Sequence, residues 1–208
     1  MKQLHLVIGP NGSGKTTFFE EFLALELPGY VYVNADEIAK SRWPADSDAH
    51  SYEAAQVAAD TRAHLIASGR SFITETVFSH RSKLDLIRSA QGTGYQVVLH
   101  VMLVPEELAV RRVAYRVRAG GHDVPESKIR ERYHRLWPLV AQAISLADRA
   151  VSYDNSRRTG PVKIAEFFGG LPIGAAAWPE WAPEAIEETI RSTWQASPYR
   201  RGQSWRSA

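Results

Sequence analysis

Cysteine is absent from the 208 residues, which excludes disulfides, thiolate metal sites and a cysteine nucleophile. No apolar run approaches the roughly 20 residues of a membrane span. Met1-Lys2 leads straight into an apolar strand pattern with no signal-like segment, so a cytoplasmic protein without membrane contact is expected. A dominant charge is lacking as well. Lys and Arg total 25 against 23 Asp and Glu, and a net charge of +2 gives no argument for a nucleic-acid partner. Internal repeats and long low-complexity segments are missing. So are an apolar strand closed by Asp-Glu (the Walker-B signature) and an Asn-Lys-x-Asp guanine-reading motif. Those absences speak against an AAA-type ATPase and a GTPase. The composition that remains, 44% apolar and 23% charged, suits a globular chain with one good core and a small appendage.

What the chain does have is Gly9-Pro10-Asn11-Gly12-Ser13-Gly14-Lys15-Thr16, followed by Thr17. The spacing G-x-x-x-x-G-K-[ST] is that of a phosphate-binding P-loop. Its glycines let consecutive backbone N–H groups curl around phosphates, the lysine reaches the β/γ oxygens, and the threonine hydroxyl ligates Mg²⁺. Context supports the match. Leu4-His5-Leu6-Val7-Ile8 before it has the pattern of a buried parallel strand. After it, Phe18, Phe22 and Leu25 fall at i, i+4 and i+7 of an amphipathic helix whose N-terminus faces the anion. The chain is expected to bind a nucleoside triphosphate through Gly9, Asn11, Gly12, Ser13, Gly14, Lys15, Thr16 and Thr17.

Strand patterns recur at 30–33, 71–75, 95–104 and 149–153, and 162–168 alternates like an edge strand. Helical stretches separate them at 52–68, 81–90, from Pro105 at N1 to about 119, and from Pro125 onward with Ile129, Tyr133, Leu136 and Val140 on one face and a kink at Pro138. Residues 41–50 are polar and predict a loop. The alternation implies an α/β three-layer sandwich, a mostly parallel five- or six-stranded sheet with helices on both faces. Beyond residue 169 the chain becomes rich in Pro and Trp, and a helix over 183–196 carries Ile186, Ile190 and Trp194 in one stripe. The expected organisation is a kinase domain over 1–169 and an extension over 170–208, read as a strap across the core or, alternatively, as a partner surface.

Two carboxylates end strands expected near the P-loop: Asp36 after the second and Glu75 at the third. A kinase acting on a hydroxyl needs one carboxylate to orient the nucleophile and take its proton, and another group to hold the acceptor. Asp36 fits the base, or else caps the following helix. Glu75 fits an acceptor ligand, a loop cap, or a metal ligand through water. Residues 111–135 hold eight Lys and Arg (Arg111, Arg112, Arg116, Arg118, Lys128, Arg130, Arg132, Arg135) against three acids. An arginine-rich helical hairpin over about 106–147, hinged at 120–124, suits a lid that closes over the γ-phosphate. A solvated basic face and RNA binding are the other readings.

Taken together, G-P-N-G-S-G-K-T-T, Asn34-Ala35-Asp36-Glu37-Ile38-Ala39, Thr74-Glu75-Thr76 and the R-V-x-x-R-V-x-x-G-G-H-x-V-P lid resemble the zeta-toxin-like P-loop kinases, over roughly residues 3–156. Chloramphenicol phosphotransferase is a more distant relative. The resemblance implies ATP and Mg²⁺ as cofactors, transfer to a 3′-hydroxyl of UDP-N-acetylglucosamine in the toxins, and an antitoxin-like partner. It implies Asp36 as catalytic aspartate, Glu75 as acceptor-binding glutamate, Lys15 and Thr16 as the P-loop pair, and Arg116 as the first lid arginine. The second lid arginine falls at His122, with Arg118 or Arg130 as replacements in space. The toxins' Glu-Gly-Thr-x-Arg is here Glu75-Thr76-Val77-Phe78-Ser79, which bears on the acceptor rather than on phosphoryl transfer. The expectation is an ATP:alcohol phosphotransferase. The alternatives are a nucleoside or antibiotic kinase without toxicity and an ATP-hydrolysing switch.

Overall fold

A computed structural model describes residues 1–119 and 124–196, with the side chains of 189, 190 and 193–196 left aside. The expected alternation of strand and helix is present. The strands are β1 (Gln3–Ile8), β2 (Val31–Val33), β3 (Phe72–Thr76), β4 (Gln96–Leu103), β5 (Arg149–Asp154), β6 (Val162–Phe168) and β7 (Leu171–Pro172). They form one sheet in the order β2-β3-β1-β4-β5-β6-β7. The first five run parallel, while β6 and β7 are antiparallel additions. The sheet therefore has seven strands rather than five or six. The extra one is a two-residue strand after the Gly169-Gly170 turn, too short for alternation to reveal, and it displaces β6 from the edge.

Alternation along β1 sorts the two faces. Leu4, Leu6 and Ile8 join the large core with α4 (Ser51–Ala67), α5 (Ser82–Gly92) and α7 (Glu126–Leu146). Val7 faces the other side, against Phe18 and Leu23. That second side is covered by one continuous helical run: α1 (Lys15–Phe18), a π-helical turn (Phe19–Leu23) and α2 (Ala24–Glu26). The π turn overturns the expected helix face. It adds a residue to the turn, so Leu23 takes the inward place beside Phe18, while Phe22 and Leu25 are 40% and 76% exposed.

The described tail also belongs to the main core. Ala176 and Ile186 are buried in it, and Trp178 and Trp181 pack against it, with α8 (Glu184–Ala196) lying on α7. Ile190 and Trp194 of the expected stripe, and Trp205, lie outside the described side chains. The hairpin differs from expectation too. Pro105 is the N-cap of α6 (Glu106–Arg118) rather than its first residue, and α7 runs through Pro138 without a break. From Tyr133 to Ile144, α7 is a core helix. Only α6 and the first turns of α7 form a separate small cluster, Val113, Val124 and Ile129.

Between β1 and β4, on the P-loop helix side, two histidines stack. His5 Nδ1 lies 3.1 Å from His100 Nε2, while the other ring nitrogens have no hydrogen-bond partner among the described residues. Burial, with the charge of Arg149, pushes His5 down to about 4, and burial with the neighbouring His5 lowers His100 further. Both are neutral in the folded state and titrate near 6.5 when unfolded. Stability is complete above pH 6.5 and is lost as pH falls from there toward 4, each histidine contributing up to about 1.4 kcal/mol per pH unit. Urea melts at pH 7 and pH 5 should show this loss. The pair His5→Leu/His100→Leu should flatten it; an unchanged pH slope in that variant would place the acid sensitivity elsewhere.

Candidate active site

The P-loop runs from the end of β1 into α1, as its spacing requires. Pro10 O ties it together, accepting from Ser13 N–H at 3.2 Å and from Lys15 Nζ at 2.9 Å. Within the turn of the loop, glycine is needed on steric grounds at Gly12 and Gly14. A Cβ on Gly12 (φ +74) would stand 2.6 Å from Ala109 O on α6, and one on Gly14 (φ +84) would overlap Asn155 Nδ2. Asn155, just past β5, holds Ser13 O at 2.9 Å and so braces the loop from below. Gly14→Ala combines this overlap with left-handed strain of about 1–2 kcal/mol. Its affinity in a fluorescent-nucleotide titration should fall about tenfold or more.

The acidic side of the site is a hydrogen-bonded chain. In the β1–β3 register Val7 pairs with Glu75, which sets this carboxylate beside the start of the loop. Glu75 Oε2 accepts from Thr16 Oγ1 (2.9 Å), Tyr32 OH (2.7 Å) and Asn34 Nδ2 (3.2 Å). Its Oε1 lies 3.9 Å from Lys15 Nζ. Asn34 caps α3 (Ala35–Arg42) by accepting from Asp36 N–H at 2.8 Å. It thereby links the Asp36 backbone to Glu75. Asp36 itself is exposed into the cavity. Burial lowers Lys15, opposed by Glu75 and Asp36. Burial and the Glu75 carboxylate push the Tyr32 phenol up, which keeps it a neutral donor.

Three cavities meet at the loop. A cavity of about 350 Å³ is lined by Gly12, Lys15, Thr16, Asp36, Glu75, Arg112 and Arg116, with Thr17, Glu37 and Lys40 at its margin. A second, about 210 Å³, shares Lys15, Thr16, Asp36, Glu75 and Arg116 and adds Thr76, Val77, Val124 and Arg132. The third, about 370 Å³, lies on the other side of the loop, between Phe18, Phe22, Arg112, Asn155 and the segment Arg157–Pro161. Gly9 is not among these linings; a Cβ there would overlap Met102 O, so its role is to let the loop pass over β4.

The lid arginines divide. Arg116 enters the first two cavities. Arg118 lines an apolar groove between α6 and α7, with Val113, Val117 and Ile129, and is not among the linings of the cavities at the loop. Arg130 is placed differently again. Glu107 at 2.6 Å, Glu126 at 2.8 Å and Glu106 at 3.2 Å hold its guanidinium, so it staples the two helices together rather than facing an acceptor. His122 lies outside the described residues.

The first comparison that bears on this geometry is a family one. Residues 4–139 match the family AAA_33, described as an AAA domain. The chain belongs to that family. The family's description names the domain type and leaves the expectation against an AAA-type ATPase where it stood. The Asp-Glu signature is indeed missing, but the carboxylate at the tip of the strand beside the P-loop strand is supplied singly, by Glu75. Among curated proteins none matches the chain. Of solved structures, the AvrRxo1-ORF1:AvrRxo1-ORF2 complex with sulphate ions is similar at TM-score 0.66 and 20% identity. The alignment covers 91% of this chain but only 64% of that one. A structure from the PezAT chromosomal toxin-antitoxin system of Streptococcus pneumoniae is similar at TM-score 0.60 and 13% identity, covering 95% and 81%. The Pnkp1/Rnl/Hen1 RNA repair complex follows at 0.55 and 19%, covering 84% and 55%. At these identities the likeness is one of fold, the P-loop kinase type, and it agrees with the resemblance carried by the motifs.

Sequence reasoning did not assign Tyr32, Asn34 and Asn155 to the site, and it counted Arg112 and Arg132 only within the basic run of the lid. Asn34 carried a signal, an N-cap residue before two acids. Arg112, which donates to Asn155 O at 2.9 Å, and Asn155 itself carried none, because their contact spans 43 residues.

Proposed function

We propose that the chain is an ATP-dependent, Mg²⁺-requiring kinase that transfers the γ-phosphate to a hydroxyl of a small acceptor. The observation that carries this reading is that the P-loop lysine and threonine, a cavity-facing carboxylate at Asp36 and the lid arginine Arg116 all line one cavity. The residues suit both cofactors. The buried Ser13 hydroxyl, a donor in the P-loop, has no partner among the described residues, as in a loop built to meet a polyanion. No cluster of three or more His, Cys, Asp or Glu able to hold a metal occurs among them either. Mg²⁺ in phosphoryl-transfer sites is bound by one or two protein oxygens together with phosphates and water. Thr16, ordered by Glu75, is its ligand here. When bound, the ion neutralises charge on the bridging phosphate oxygens.

In this reading Lys15 leaves the Pro10 carbonyl for the β/γ oxygens, and Asp36 aligns the acceptor hydroxyl and takes its proton. Glu75 fixes Thr16 with Oε2 and offers Oε1 toward the acceptor. Arg112 and Arg116 balance the charge that spreads over the migrating phosphoryl group. The cavity bounded by Phe22, Asn155 and Arg157 receives the base. An antitoxin-like protein partner belongs to the same proposal; its support is the shared fold with structures whose names describe such assemblies. The test is transfer from γ-labelled ATP with Mg²⁺ to a panel of sugars, sugar nucleotides, nucleosides and antibiotic alcohols, with phosphate release followed in parallel. A labelled acceptor supports the kinase. Release alone, indifferent to every acceptor, replaces it by a hydrolytic switch.

A further inference from the structure

Of the charged residues around the smaller cavity, Lys15, Asp36, Glu75 and Arg116 line the P-loop cavity as well. Arg132 is the exception. Of the three cavities at the loop it lines only the smaller, where Ala35, Thr76, Val77 and Val124 join the P-loop residues Asn11 and Gly12. It is half-buried, and no hydrogen bond or ion pair engages it among the described residues. The neighbouring arginines of α7 are committed: Arg130 to three glutamates, and Arg135 to Glu131 at 3.0 Å. A half-buried guanidinium that no acceptor engages leaves its fork of N–H donors open to a ligand.

Resting on the kinase reading of this site, we infer that Arg132 recognises an anionic group on the phosphoryl acceptor, so that the substrate is a hydroxyl compound carrying a carboxylate or phosphate rather than a neutral alcohol. The cavity is built for two-point recognition. A hydroxyl meets Asp36, an anion meets the guanidinium fork in bidentate fashion, and Val77 and Val124 flank the carbon skeleton between them. The triphosphate has its own cations in Lys15, Arg112 and Arg116, which line the P-loop cavity. Arg132 is thus a specificity residue.

The experiment compares a sugar acid, a sugar monophosphate and the corresponding neutral sugar as acceptors for wild type, Arg132→Gln and Arg132→Lys. Binding of each compound is measured by calorimetry in the presence of a non-hydrolysable ATP analogue. Wild type should prefer one of the anionic compounds over the neutral sugar by about 10²-fold or more in kcat/KM. Which of the two it prefers separates carboxylate from phosphate. Arg132→Gln should raise KM for that acceptor about 10- to 100-fold, with kcat and ATP affinity within a fewfold of wild type, and Arg132→Lys should recover part of the loss. Wild type that treats neutral and anionic acceptors alike, or binds neither anion, overturns the inference. So does Arg132→Gln acting on ATP affinity instead, which would make the residue a nucleotide clamp. Arg132-dependent binding of the anion without any transfer would sustain the inference while removing the kinase reading.

Discussion

Asp36→Asn is expected to lower phosphoryl transfer by about 10²–10⁴-fold while nucleotide affinity stays within a factor of two. The substitution is nearly isosteric, and the hydrogen bond that Asn34 accepts at this position comes from the backbone N–H, so the start of α3 is preserved. What disappears is a cavity carboxylate whose side-chain oxygens make no hydrogen bond among the described residues, whereas Glu75 Oε2 is taken up by Thr16, Tyr32 and Asn34. Single-turnover transfer from labelled ATP and an independent nucleotide titration separate the two effects. Transfer within threefold of wild type would return Asp36 to the role of a helix-start residue.

Lys15→Met should act on activity and stability in opposite directions. Lys15 is only 7% exposed, and burial depresses its ammonium more than Glu75 and Asp36 restore it. Its one ion-pair contact, at 3.9 Å, is too long for a hydrogen bond. The folded protein therefore carries this charge at a cost, as strained functional groups do. Methionine keeps most of the stem and removes the charge, so kcat/KM should fall by about 10³-fold or more while the melting temperature stays equal or rises. A drop of several degrees would show that the ammonium holds the loop together through Pro10 O, and the depressed lysine would lose its catalytic explanation.

The parallel strands were legible because each is an apolar run bounded by glycine or proline, and the P-loop because its chemistry leaves no freedom in spacing. Asp36 and Glu75 were found by one rule, that ligands gather at the carboxyl ends of strands. Which arginine faces the site was not legible. Arg130 and Arg132 are two residues apart, hence about 200° apart around α7, and a count of basic residues treats them as equals. Their separation depends on Glu106 and Glu107, which reach Arg130 from another helix. The expected lid, about 106–147, takes in core residues of α7 for a related reason. A continuous amphipathic pattern does not say where its apolar face stops meeting α6 and starts meeting the sheet. The boundary at residue 169 likewise marked a change of composition that tertiary packing ignores, since Ala176 and Ile186 close the same core as Leu6 and Leu99.

The π turn has a consequence for how this protein can be altered. Phe18 and Leu23 meet the sheet five residues apart, and the surplus residue between them is what swings the Phe22 ring out to the mouth of the cavity beside Asn155 and Arg157. A helix shortened by one residue within Phe19–Leu23 would close into ordinary α turns and rotate every later side chain by about 100°. The aromatic wall of that cavity would go, while Gly9 to Thr17 kept their places. Losing one codon would thus edit one wall of that cavity without touching the P-loop itself.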